Sequence, residues 1–161
     1  NNKLFMRLII LIFLIFYVNL SFGQETNEIE ISADIMEWDK EKNQAVAIGN
    51  AKVIKGDTTI LAEKITALID NNSQKQQIKT LIASGDVKFY RDQELATGDS
   101  AIYNLSQDTV VLNGNVKLKR KDNVIKGDKL SIDFKTGLSK IEGSNSKKKV
   151  RMKYNTKELN D

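Results

Sequence analysis

The sequence predicts an all-β protein in which about four copies of one strand-turn-strand unit stack into two facing sheets. Three observations lead there. A small residue followed by an acid returns at Ala33-Asp34, Ala62-Glu63, Gly98-Asp99 and Gly127-Asp128, at spacings of 29, 36 and 29 residues. Between these pairs apolar and polar residues alternate with period two, as a strand with two unlike faces requires. The alternation then slips phase at the same column of each copy: Ile125 and Gly127 hold one parity, and Leu130, Ile132 and Phe134 the other. A fixed period of this length marks repeated supersecondary units, none of which can bury its apolar face alone.

The first 23 residues stand apart. Lys3 and Arg7 precede eleven apolar residues, Leu8 to Val18, where a membrane-spanning helix needs about 20. A positive start, a short apolar run and the small residues of Ser21-Phe22-Gly23 fit a cleaved secretion signal, so residues 1–23 are read as a signal peptide. An uncleaved anchor is the competing reading.

The repeated copies follow in order. "ISADIMEWD" at 31–39 carries the first small-acid pair, and "GNAKVIKGDTTILAE" from Gly49 the second. The polar stretch "DNNSQKQQ" at 70–77 absorbs the extra residues of the longer spacing as a loop. "GDVKFYRDQELATGD" from Gly85 and "GNVKLKRKDNVIKGD" from Gly114 complete the set. Each phase slip predicts a bulge or corner at the small-acid pair, where a strand passes from one sheet into the other. Polar loops at Lys40 to Asn43, Asn104 to Asp108 and Lys135 to Gly137 close the units, and Gly-Asn or Gly-Asp at 49, 85 and 114 are expected to make the remaining tight turns. Residues 24–143 form the domain. The segment 144–161, with "KKKVRMKY" at 147–154, is a basic tail or, through alternation of Val150, Met152 and Tyr154, a terminal edge strand.

Composition narrows the function. There is no cysteine, so neither a disulfide nor an N-terminal lipid anchor is available, and stability must come from burial and backbone pairing. There is no proline to interrupt a ladder and no histidine, the usual general base and zinc ligand. The net charge of +4 sits at the ends, in Lys3 and Arg7 and in the tail: residues 24–143 hold 17 basic and 19 acidic side chains. The body is expected to carry no basic stripe, and nucleic acid is not expected as a partner. Asp34, Glu63, Asp99 and Asp128 are spread one per layer and do not converge as a catalytic or metal site must, so a turn role is expected and no enzyme, catalytic residue, metal or cofactor is read here. A stack built by repetition has two ends, each with unpaired strand edges and an open apolar groove between the sheets.

These residues resemble the OstA-like, or LptA, family of periplasmic lipopolysaccharide transport proteins. The resemblance rests on "ISADIMEWD", on "GNAKVIKGDTTILAEKITA" at 49–67 and on the returning "GDVKFY" and "GNVKLKRKDNVIKGDKLSID", and covers about residues 29–143. It implies an open, twisted antiparallel β-jellyroll whose interior takes the acyl chains of lipid A while the sugars stay in water. It implies head-to-tail homo-oligomers and edge-strand pairing with LptC-like inner-membrane and LptD-like outer-membrane partners, bridging the periplasm. Parity and repeat column assign the interior, and hence the lipid contacts, to Met36, Trp38, Val53, Ile65, Ile69, Val87, Phe89, Tyr103, Leu105, Val116, Leu118, Leu130, Ile132 and Phe134. Alternatives are a membrane-anchored LptC-like component, a structural β-solenoid filament protein that binds no lipid, and a polysaccharide-cleaving β-helix enzyme.

Overall fold

The computed structural model describes residues 28–70, 76–144 and 149–154; the signal-peptide reading of residues 1–23 lies outside them. The described chain is strand and turn throughout: β1 (Ile29–Ser32), β2 (Ile35–Asp39), β3 (Gln44–Lys55), β4 (Thr58–Asp70), β5 (Gln77–Arg91), β6 (Glu94–Asn104), β7 (Thr109–Arg120), β8 (Asn123–Asp133), β9 (Leu138–Glu142) and β10 (Arg151–Lys153). Neighbours run antiparallel in the order β1-β3-β4-β5-β6-β7-β8-β10, with β2 also on β3 and β9 also on β8.

The forks at the two ends show how one sheet becomes two. β3 pairs with β2 through Gln44 to Ile48 and with β1 through Lys52 to Lys55. β8 pairs with β10 through Val124 to Lys126 and with β9 through Lys129 to Asp133. Each long strand from β3 to β8 therefore crosses a corner and lends one part to each of two facing half-sheets, named here by their end strands: the β2/β9 half and the β1/β10 half. This is an open antiparallel β-jellyroll.

The corner is a recurring bulge. Ile48 faces Lys64 and Ala51 faces Ala62, so Gly49 and Asn50 oppose Glu63 alone. Gly85-Asp86 stand in the same way against Asp99, and Gly114-Asn115 against Asp128. The three glycines have φ of 78°, 80° and 78° and the residues after them 46°, 44° and 47°. Glycine leads such a bulge because the left-handed region is open to it, and Asn or Asp tolerates the next position. The acid of the preceding strand seals the fit: a side chain on Gly85 or Gly114 would overlap the carboxylate of Glu63 or Asp99. Asn50 and Asn115 donate their amides to Asp34 and Asp99 at 2.9 Å, and Ser144 donates its backbone N–H to Asp128 at 2.9 Å. The acid column is thus part of the corner.

This corrects the expectation that Gly-Asn and Gly-Asp at 49, 85 and 114 make tight turns. They lie inside β3, β5 and β7, and the hairpins are at Gly56-Asp57, Asp92-Gln93 and Lys121-Asp122. A two-residue hairpin turn and this bulge ask for the same positive φ, so the dipeptide alone does not separate them.

Register assigns the inward face. In the β2/β9 half one inward row runs Ala45, Ala67, Leu81, Tyr103, Val110, Ile132, and a second runs Ala47, Ile65, Ala83, Ala101, Leu112, Leu130. In the β1/β10 half the row is Val53, Ile60, Phe89, Ala96, Leu118. All of these are buried. Ala96 beside Phe89 leaves room for the ring, and each large buried side chain stabilises the fold by roughly 1.5–3 kcal/mol.

The outer face of the β1/β10 half amends the expectation of no basic stripe. Lys52, Lys88, Lys117 and Lys126 fall in one cross-strand row with Leu61 and Thr97 between them. Counting charge along the chain cannot see this row, because its members are brought together only by pairing. The corner acids beside it, among them Asp86 on Lys88 at 3.4 Å, make the surface mixed rather than purely cationic.

Candidate functional site

The candidate site is the seam between the half-sheets. Of the residues assigned to it from sequence, Val53, Ile65, Val87, Phe89, Tyr103, Val116, Leu118, Leu130 and Ile132 are buried there. Leu105 and Phe134 are half-buried and pack against the same core from the side of the turns; Ile69 is half-buried at the turn end of β4, where its backbone N–H donates to the Asn43 carbonyl at 2.9 Å. Met36 and Trp38 differ. They pair with Ala47 and Ala45, whose side chains point inward, so they share the inward register. Yet they are 54% and 59% exposed, because β2 is an end strand with no strand beyond it.

Mid-seam, the protein's own side chains fill the interior. Val87, Val110, Leu112 and Leu130 have no exposure. Phe89 meets Tyr103 edge to face with ring centroids 5.6 Å apart, and stacks on Phe134 at 5.7 Å. The parity rule extends to Ile60, Leu81, Val110 and Leu112, equally buried members of the same rows that the sequence assignment left out.

Along its free side the seam opens between two lines of turns, the hairpins of the β1/β10 half and the turns of the β2/β9 half. At mid-stack these lines are joined. The Arg91 guanidinium donates to both oxygens of Asp108, at 2.7 and 2.9 Å, and lies over the Phe134 ring with Cζ 3.9 Å from its centroid. The Tyr103 hydroxyl donates to Asp108 Oδ1 at 2.8 Å. Arg91 holds the Asp108 carboxyl below the usual carboxylate range, while burial, followed by the bond to Asp108, pushes the Tyr103 hydroxyl above that of a free tyrosine. Sequence reasoning missed this clasp. The parity signal was present, since Arg91 continues the inward column of Val87 and Phe89, but its partner is 17 residues away and no spacing rule joins them.

Towards β1, on the near side of the clasp, the mouth widens into a cleft of about 590 Å³ between Ile29 and Lys55 of one half and Ile78, Lys79, Leu105 and Ser106 of the other. Among the described residues no cluster of acidic side chains could hold a metal ion.

Comparison with known proteins agrees with this geometry. The chain is 28% identical over 138 residues to "Uncharacterized protein R00383" of Rhizobium meliloti (strain 1021), covering 82% of this chain and 74% of that one. It is 28% identical over 124 residues to "Uncharacterized protein RP507" of Rickettsia prowazekii (strain Madrid E), covering 73% and 86%. The crystal structure of LptH, the LptA-homologous periplasmic component of the lipopolysaccharide transport device of Pseudomonas aeruginosa, superposes with a TM-score of 0.71 at 19% identity over 81% of this chain and 97% of that one. At that identity the likeness is one of fold. The family described as LptA/(LptD N-terminal domain) LPS transport protein matches residues 30–138, most of the described jellyroll, and the chain belongs to that family.

Proposed function

We propose that the chain, secreted to the periplasm by its first 23 residues, carries lipopolysaccharide between the inner and outer membranes, its acyl chains held in the seam and its sugars left in water. Transport of this kind makes and breaks no bonds. It requires an apolar trough, because each methylene kept from water is worth about 0.8 kcal/mol. The observation that carries the reading is the continuous inward apolar face that runs to β2 and ends, uncovered, in Met36 and Trp38.

The two ends support head-to-tail assembly. Around β1 and β2 the exposed charges include Glu28, Glu30, Asp34 and Glu37, with Lys40 just past the end of β2; around β9 and β10 they include Lys140, Lys149, Arg151 and Lys153. Adding β1 and β2 of one copy to β10 and β9 of the next would continue both half-sheets, cover Trp38 and set acid against base. Contacts of this heterologous kind do not close, so the same ends suit LptC-like and LptD-like partners at either membrane.

Photo-crosslinkers at Phe89 and Tyr103 are expected to label lipopolysaccharide; labelling from the outer position Lys88 alone would overturn the seam reading. The dense mid-seam packing favours a second reading, a filament built by edge pairing without lipid. Lipid copurifying with the protein decides against that reading, and identical assembly with and without lipopolysaccharide decides for it.

A further inference from the structure

An exposed ion pair contributes little, and an apolar pair of similar size would hold the mouth at least as well. Arg91 and Asp108 are neither exposed nor replaced by apolar residues: their side chains are 21% and 23% accessible, and the contact is bidentate. A charged closure at the entrance to an apolar seam has one property an apolar closure lacks, which is that a competing anion can displace one partner.

We propose that Arg91 is a phosphate-binding residue that Asp108 occupies in the lipid-free protein, and that a phosphate of the entering glycolipid takes the place of Asp108 as the turn lines part. The inference rests on the seam reading above. Parting the mouth removes both Asp108 and Phe134 from Arg91, since both belong to the opposite half-sheet. Arg91 would keep Asp57 alone, at 3.6 Å. A guanidinium left so at the rim of an apolar seam is costly without an anion. Phosphate offers the same pair of oxygens to the planar fork and carries more charge than a carboxylate. Asp108, at a turn, passes into water and keeps the Tyr103 hydroxyl. The neighbouring cleft complements a phosphorylated headgroup, with Lys55 and Lys79 on its walls against Asp70.

The test measures equilibrium binding of bisphosphorylated lipid A, and of the same lipid A after enzymatic removal of its phosphates, to the wild type and to D108N, R91Q and R91Q/D108N, each checked for fold by circular dichroism. Charge-assisted hydrogen bonds contribute about 1.5–3 kcal/mol, so D108N is expected to bind the phosphorylated lipid about tenfold tighter than wild type, and R91Q and the double variant at least tenfold weaker than D108N. With the dephosphorylated lipid the three variants should bind alike. If the pair is only a latch, D108N and R91Q will shift both lipids in the same direction, and that result overturns the proposal. So does phosphorylated lipid bound as tightly by R91Q as by D108N. Wild-type protein that binds neither lipid would remove the seam reading itself, a failure distinct from either of these.

Discussion

Phe89 reaches across the seam to Tyr103, ring edge to ring face, with planes inclined at 80°. Phe89 comes from the β1/β10 half and Tyr103 from the β2/β9 half, so this contact ties the half-sheets at their centre. Replacing Phe89 by Ala empties a site that is 2% exposed and lined on two sides by rings. A loss of about 3–5 kcal/mol is expected, against about 1 for Phe89→Leu. Urea unfolding followed by far-ultraviolet circular dichroism measures both; equal, small losses would show that the seam is not packed as described.

The corner glycines give a sharper contrast. Gly85→Ala places a methyl on the Glu63 carboxylate at φ 80°, whereas Gly56 has φ 56° and nothing within 4 Å of an added methyl. Gly85→Ala should cost about 1–3 kcal/mol or more and Gly56→Ala about 1. Adding Glu63→Ala to Gly85→Ala should recover the part of the steric cost due to the carboxylate, and leave the conformational part together with the closer approach to the Glu63 Cβ at 2.8 Å. Thermal midpoints of the four proteins separate the two contributions.

The clasp makes stability depend on pH at both extremes. Asp108 titrates lower in the fold than in the unfolded chain, so its contribution is present above about pH 4 and is lost as pH falls through the folded value. Tyr103 titrates higher in the fold, so its contribution is present below about pH 10 and is lost as pH rises beyond that. D108N is expected to be about 1–3 kcal/mol less stable than wild type at neutral pH, with the gap narrowing below about pH 4. Y103F should lack the alkaline loss. Urea midpoints across the pH range check both arms.

Assembly should follow the charges at the ends. Arg151→Glu with Lys153→Glu, or Glu30→Lys with Glu37→Lys, is expected to abolish concentration-dependent assembly, and mixing the two variants to restore it, because each altered end then meets its complement. Trp38→Ser should weaken assembly without altering its salt dependence. Size-exclusion over a dilution series reads all four, and a wild type that stays monomeric at high concentration would sink the head-to-tail proposal.

The repeat column was legible because pairing preserves it: Trp38, Tyr103 and Ile132, selected by spacing, do share one cross-strand row. The inward parity of Val87, Phe89, Leu130 and Ile132 was legible for the same reason, since strand periodicity is local. Burial was not. Trp38 and Leu130 have the same parity, yet one is 59% exposed and the other 0%, a difference set by whether another strand lies beyond.

The chain's own order of residues thus determined that it forms strands, where each strand bends, and which side of each is greasy, because φ preferences and alternation act over a few neighbours. Only the folded molecule decided that Gly-Asx pairs bend strands instead of ending them, that four lysines share a row, and that Arg91 meets Asp108. Each of these depends on which distant segments the hydrogen-bonded register sets side by side, and a register is a property of the pair rather than of either strand.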